Sequence, residues 1–234
     1  MSLQKDRTVA EAIALSRLRA LPPATVEKLI ANAMILDVPR GVVEMLQGRD
    51  GIHAALVVSG LLRAFRTTED GRQMTVRYVR AGDLVAMASV HARRPAALGQ
   101  QALMASRILR FHPDAILGLA RSDLAFANLI AEDNAYRVFD YIDSIAGVNF
   151  SSMRQRLVSH LLDLAAGDPP ERTAPPMVAR VTQQALADAI GCVREVVVRL
   201  LRELREEGLV RTGRDEIELL QPDRLHAETF PRET

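Results

Sequence analysis

Three features of the sequence predict an α+β fold. Short apolar or alternating runs, punctuated by turn residues, fill positions 35–111. Helical periodicity carries an apolar stripe from about Ser122 to Asn149, and a helix–glycine–helix spacing followed by a hairpin pattern occupies the last third. The chain is therefore expected to order as a β-roll with N-terminal helices over 1–121, a long helix and hinge over 122–150, and a small α-rich unit over 151–234.

Residues 1–33 read as helix, with Leu15, Leu18, Val26, Leu29 and Ile30 at helical spacing and a break at Pro22-Pro23. The strand candidates are Ile35–Val38, Val42–Leu46, Ile52–Val58, Leu61–Arg66, Met74–Val79, Leu84–Met87 and Leu103–Phe111. Turn signals separate them: Pro39-Arg40-Gly41, Gly48-Arg49-Asp50-Gly51, Ser59-Gly60, Glu69-Asp70-Gly71 and Ala81-Gly82-Asp83. Asp70-Gly71 is a good hairpin signal, and many short strands at this spacing suggest a roll or small barrel rather than a βαβ fold.

After His112-Pro113 the period becomes helical. Leu124, Leu129, Ile130, Val138, Tyr141, Ile142, Ile145 and Val148 form one stripe on a helix of about 40 Å. Such a stripe either packs on the strands or forms a dimer seam, and its length favours the seam. A further helix, Met153–Ala166, precedes a loop from Gly167-Asp168-Pro169-Pro170 to Pro175-Pro176.

Composition narrows the function classes. In 234 residues of 25.8 kDa, 48% are hydrophobic, too many for a disordered chain. A net charge of +1 excludes a generally polycationic coat for nucleic acid but leaves room for a local basic face. A single cysteine, Cys192, rules out an intramolecular disulfide and a Cys-ligated iron–sulfur cluster. Nothing resembles a signal peptide or a membrane span, so the cytoplasm is the expected compartment. Only Lys5 and Lys28 are lysines, an arginine bias that coding composition explains.

The informative stretch is Val181–Leu204. Thr182 suits the N-cap of a short helix with Leu186 and Ile190 buried, and Gly191 suits a left-handed turn. A second helix over about Val193–Glu207 would bury Val197, Leu200, Leu201 and Leu204. Small Ala187 stands where the helices cross, the spacing of a helix-turn-helix. Gly208–Leu219 then reads as a hairpin, which makes the unit a winged helix-turn-helix with Arg211 and Arg214 on a wing near phosphates. Arg194, Glu195, Val198 and Arg199 fall on the exposed leading face of the second helix. Arginine can bond guanine O6 and N7, and glutamate can accept from cytosine N4. The competing reading is a solvated helix with a Glu195–Arg199 pair.

Residues 151–234 carry 12 arginines and 14 acidic residues, a formal −2, leaving +3 on 1–150. Phosphate affinity must therefore come from a local face, base contacts and dimer avidity. His53, His91, His112, His160 and His226 lack metal-ligand spacing. No phosphate loop, nucleophile motif or acid–base pair argues for an enzyme. Cys192, in the turn before the second helix, is a packing residue first and a redox candidate second.

These residues resemble the Crp/Fnr family of bacterial transcription regulators over nearly the whole chain. The match runs through Asp70-Gly71-Arg72-Gln73, Ala81-Gly82-Asp83-Leu84, the long helix and, most specifically, Ile190-Gly191-Cys192-Val193-Arg194-Glu195-Val196-Val197-Val198-Arg199. The resemblance implies a cyclic-nucleotide-binding-like roll and a homodimer on double-stranded DNA. It also implies that Arg194, Glu195 and Arg199 read a TGTGA-like half-site of a near-palindrome, with RNA polymerase as a further partner. Thr182 and Gln184 match phosphate-touching positions, and Gln183 replaces a frequent Arg. Val193 and Val196 stand where the family often has Ser and Thr.

The effector site departs from the family. Ala86-Met87 and Ala97-Leu98 replace the Gly-Glu and Arg-Ser of cyclic-nucleotide binders, and an uncharged lining does not neutralise a buried phosphate. The expectation is thus an effector other than cyclic AMP, with Met87, Ala97, Leu98 and Tyr141 as candidate lining. No cofactor is expected, and haem ligation by His53 or His91 is a minor alternative that the family allows. Two alternatives stay open: a regulator without an effector, and a dimeric interaction module that has lost specific DNA binding.

Overall fold

The computed structural model describes residues 7–48, 53–69, 71, 73–150, 152–165 and 177–229, with the backbone alone for 7 and 143–150. It divides into two compact units, one of residues 1–67 and 77–141, the other of residues 68–76 and 142–234.

In the first unit, α1 (Arg7–Leu15), a 3-10 turn (Arg17–Ala20) and α2 (Pro23–Ile30) precede the strands. Ser16 makes the break after α1 by accepting a hydrogen bond from the Leu18 amide at 3.1 Å. Among the described residues eight strands follow, with residues 73–76 of the fifth assigned to the second unit: β1 (Met34–Val38), β2 (Val43–Met45), β3 (Ala54–Ser59), β4 (Leu61–Thr67), β5 (Gln73–Arg80), β6 (Leu84–Val85), β7 (Gly99–Ala102) and β8 (Ser106–Phe111). They form two four-stranded sheets, ordered β1-β8-β3-β6 and β2-β7-β4-β5. Because side chains alternate along a strand, β3 and β8 feed two cores. Ala55, Val57 and Ile108 meet Leu62, Ala64 and Ala102 of the other sheet inside the roll. Leu56, Val58, Leu109 and Phe111 face the other way, onto α1, α2 and the helices that follow the strands.

Several elements differ from the sequence expectation. The run Leu84–Met87 is strand only to Val85, and Met87 begins a short helix, α3 (Met87–Ala92). β7 reads as a polar segment, Gly-Gln-Gln-Ala, yet it lies between β2 and β4. Gly99 lets it approach the buried Phe65, since a Cβ there would fall 2.5 Å from the ring. Asp70 and Arg72 of the expected hairpin, with Arg49–Ile52, lie outside the described residues, as does the Gly167–Pro176 loop.

α4 (Pro113–Ser122) and α5 (Leu124–Phe150) are separated at Asp123. Its carboxylate accepts from the Phe126 amide and from the Thr25 hydroxyl, contacts that hold its pKa below the usual carboxylate range. The expected single stripe of α5 splits in two. Leu129 and Ile130 bury against the helix-side core with Phe126, while Leu124, Val138, Tyr141 and Ile142 are exposed, together with Phe139. The side chains of Ile145 and Val148 are outside the described residues.

The second unit contains α6 (Met153–Ala165), β9 (Met177–Ala179), α7 (Gln183–Ile190), α8 (Arg194–Glu206), β10 (Val210–Thr212), β11 (Ile217–Leu219) and α9 (Pro222–Thr229). β9 joins the β10-β11 hairpin as a third antiparallel strand. Among the described residues, no helix is long and apolar enough to cross a membrane.

Candidate nucleic-acid interface

α7 and α8 form the helix-turn-helix. Thr182 caps α7, its hydroxyl accepting from the Ala185 amide at 3.1 Å. Gly191 takes a left-handed conformation at φ 71°, a backbone state that costs an L side chain roughly 1–2 kcal/mol. The turn closes on the Ala187 carbonyl, which accepts from the amides of Gly191 and Cys192. Ala187 and Val197 are both fully buried, so the small residue does stand inside the packed corner.

α8 buries Val197, Leu200, Leu201 and Leu204 and turns Arg194, Glu195, Val198 and Arg199 to solvent. Arg199 lies 3.9 Å from Glu203, one turn further along, and not against Glu195. Among the described residues, Arg194 and Glu195 have no hydrogen-bond or ion-pair partner. With Val198 they line a shallow open depression at the start of the helix. Val193 is the N-cap and supplies no side-chain hydrogen bond, so the amides of Arg194 and Glu195 meet no cap from it, while the Val196 amide donates to the Val193 carbonyl at 3.1 Å.

The candidate phosphate contacts are placed differently from one another. Gln183 and Arg214 have no side-chain partner among the described residues. The Thr182 hydroxyl is engaged in the cap, and the Gln184 amide donates to Asp188 at 2.8 Å. Arg211, on β10, pairs across the hairpin with Glu218 at 3.3 Å. All five are at least partly exposed.

The frame beneath this surface is built from α6, α9 and the end of α8. Arg154 donates to Glu207 through Nη1 and Nη2 and to Glu228 through Nε and Nη2. These pairs hold the Arg154 pKa above its usual value and that of Glu207 below the ordinary carboxylate range. His160 of α6 is held neutral, with a pKa lowered to about 4 by burial and by Arg156. Burial pushes the Cys192 thiol up, opposing the reactive thiolate that a redox role would need.

The candidate effector residues do not form one lining. Met87 is buried in the helix-side core, where α3 begins. Leu98 packs on the core between the two sheets, the opposite side of β3 and β8. Ala97 is exposed, and Tyr141 stands half-exposed on α5. The sequence reading also missed a charged group in this unit. Arg137 of α5 lies 3.7 Å from Asp83 and 3.8 Å from buried Asp133, and Arg77 of β5 lies 4.0 Å from Asp83. Arg77 and Arg137 both donate to the Leu84 carbonyl at 3.4 Å, and Arg17 reaches Asp133 at 3.3 Å. Burial raises the Asp133 pKa against the pull of these arginines. The i,i+4 spacing of Asp133 and Arg137 was the available signal.

Of the two histidines weighed as haem ligands, His53 has its pKa lowered by burial and by Arg110. The Nδ1 of His91 is buried without a hydrogen-bond partner. No group of three or more metal-ligating side chains occurs among the described residues.

Comparison with known proteins gives two family matches: a Crp-like helix-turn-helix domain over residues 155–228 and a cyclic nucleotide-binding domain over 36–123. The chain is 28% identical over 167 residues to the transcriptional regulator SdrP of Thermus thermophilus, covering 70% of this chain and 77% of that one. It is 27% identical over 192 residues to the cyclic AMP receptor protein of the same organism, covering 82% and 86%. Among solved structures, the c-di-GMP-responsive global regulator CLP of Xanthomonas campestris superimposes with a TM-score of 0.73. That pair shares 19% identity, over 86% of this chain and 100% of that one. A CRP/FNR-family transcriptional regulator from Thermus thermophilus gives a TM-score of 0.70 at 23% identity, covering 84% and 98%.

Proposed function

Because the chain belongs to the Crp/Fnr family of DNA-binding transcriptional regulators, we propose that its α8 reads a specific half-site in the major groove. The observation that carries this is the exposed Arg194–Glu195–Arg199 group, with Arg194 and Glu195 unpartnered among the described residues and Arg199 turned toward Glu203. Arg194 and Arg199 would bond guanine O6 and N7, and Glu195 would accept from cytosine N4, as a TGTGA-like half-site requires.

Two copies would dock on a near-palindrome, their α8 helices in successive major grooves about 34 Å apart. The exposed Val138, Phe139 and Ile142 of α5 support a homodimer, since an apolar helix face of this kind favours a partner over water. Gln183 and Arg214 are available for phosphate contacts, and Thr182, Gln184 and Arg211 would add theirs by sharing or exchanging present partners. In this reading, 1–121 senses, 122–150 dimerises and 151–234 binds DNA. A dimer bound beside a promoter would meet RNA polymerase, a partner that rests on the family alone.

Effector control would use a ligand other than cyclic AMP, since Ala86, Met87 and Ala97 offer no charge to a phosphate. Control without an effector is a second reading. The Arg77–Asp83–Arg137–Asp133 group favours it, because it ties α5 to β5 and to the turn before β6 by internal ion pairs.

The test is selection of duplexes from a randomised library by the full-length protein, repeated with Arg199→Ala and Glu195→Ala. Each variant should lose preference at its own base pair. Retention of the wild-type preference by both would overturn the readout assignment. Failure to enrich any duplex would favour the interaction module.

A further inference from the structure

Val198 has no structural reason to be apolar. It is 45% exposed on a helix whose core positions are already filled by Val197, Leu200, Leu201 and Leu204. A β-branched residue on a solvent face lowers helix propensity relative to the arginines, glutamates and leucines around it. It packs against no core and caps nothing.

Its position explains it better. Val198 lies one turn after both Arg194 and Glu195 and next to Arg199, and helical neighbours three and four apart share a face. The depression lined by Arg194, Glu195 and Val198 therefore puts an apolar patch among the charged side chains offered to base edges. Valine can neither donate nor accept a hydrogen bond. The one apolar group on the major-groove edge of DNA is the C5-methyl of thymine.

We propose that Val198 is a specificity-determining residue that packs on a thymine C5-methyl group within each half-site. The inference rests on the reading of α8 as the DNA-recognition helix and adds a contact that hydrogen bonding does not supply. It assigns selectivity for thymine over cytosine at one position, because the pyrimidine partner there is recognised by its methyl rather than by a donor or acceptor.

The experiment removes the methyl and nothing else. The full-length protein selects a duplex from a randomised library, and each symmetric thymine pair in that duplex is then replaced by deoxyuridine. Affinity is read by fluorescence anisotropy at one stated salt concentration for the wild type, Val198→Ala and Val198→Thr. Burial of one methyl corresponds to a change of about four-fold, hence about fifteen-fold when both half-sites of a dimer site are changed. One thymine pair should show this loss with the wild type. V198A should bind the thymine and deoxyuridine duplexes alike, and V198T, which keeps one methyl, should fall between.

Two results would overturn the proposal while leaving DNA reading by α8 intact. One is a wild-type protein whose affinity no thymine-to-deoxyuridine change alters by more than two-fold. The other is a V198A variant that keeps the wild-type methyl dependence. If no duplex is enriched at all, the reading of α8 fails and the proposal falls with it. Unchanged melting temperatures for V198A and V198T confirm that folding is not the quantity read.

Discussion

Arg154 closes a two-pronged hydrogen bond on Glu207, with both nitrogen–oxygen distances at 2.6 Å, and so anchors the C-terminal end of α8 to the start of α6. The same guanidinium reaches Glu228 of α9 at 3.0 Å. A planar fork engaging two carboxylates is stronger than a simple surface pair. Arg154→Ala should lower stability by about 1–2 kcal/mol, after allowing for the partial exposure of all three residues. Urea unfolding of the full chain checks this. Because the Glu207 pKa is depressed, its contribution is complete above the unfolded glutamate value and is lost as the pH falls through the folded one. The wild type should therefore lose more stability in acid than R154A does.

His160 predicts a second acid sensitivity, in a higher window. Its folded pKa of about 4 lies below the unfolded 6.5, so the unfolded state binds the proton first. Stability should be complete above pH 6.5 and decline as the pH falls toward 4, by roughly 1–3 kcal/mol. His160→Gln, uncharged throughout, should flatten urea midpoints between about pH 6.5 and 4.5 relative to the wild type. Parallel curves for the two proteins would refute the assignment.

Val193 leaves α8 without a side-chain cap. Val193→Ser adds an oxygen able to accept from an N-terminal amide and should raise stability by about 0.5–2 kcal/mol. Thermal melting reads the gain. An unchanged or lower melting temperature would show that those amides are already satisfied.

Ala86 occupies the left-handed region at φ 58°, just before buried Met87. Ala86→Gly should relieve this strain and stabilise the protein by up to about 1 kcal/mol, net of the entropy glycine loses on folding. In the same melts, millimolar cyclic AMP should leave the wild type unshifted, since a ligand that binds only the folded state must raise its melting temperature.

What the sequence determined by itself is the part of the fold that is local. The order of strands, long helix and winged helix-turn-helix follows from period and punctuation. The α7–α8 corner follows from Thr182, Ala187, Gly191 and Val197, all within sixteen residues. Only the tertiary structure decided which neighbours meet across distance. β7 is a strand because β2 and β4 flank it, although Gln100 and Gln101 carry no strand signal. Met87 falls on the helix side of the sheet because α3 begins there, and α5 divides its apolar residues between a core and solvent. Arg199 pairs with Glu203 rather than Glu195, two partners that are equally spaced along the chain. Periodicity marks which residues share a face, but what that face meets is set by backbone pairing and packing between segments far apart in sequence.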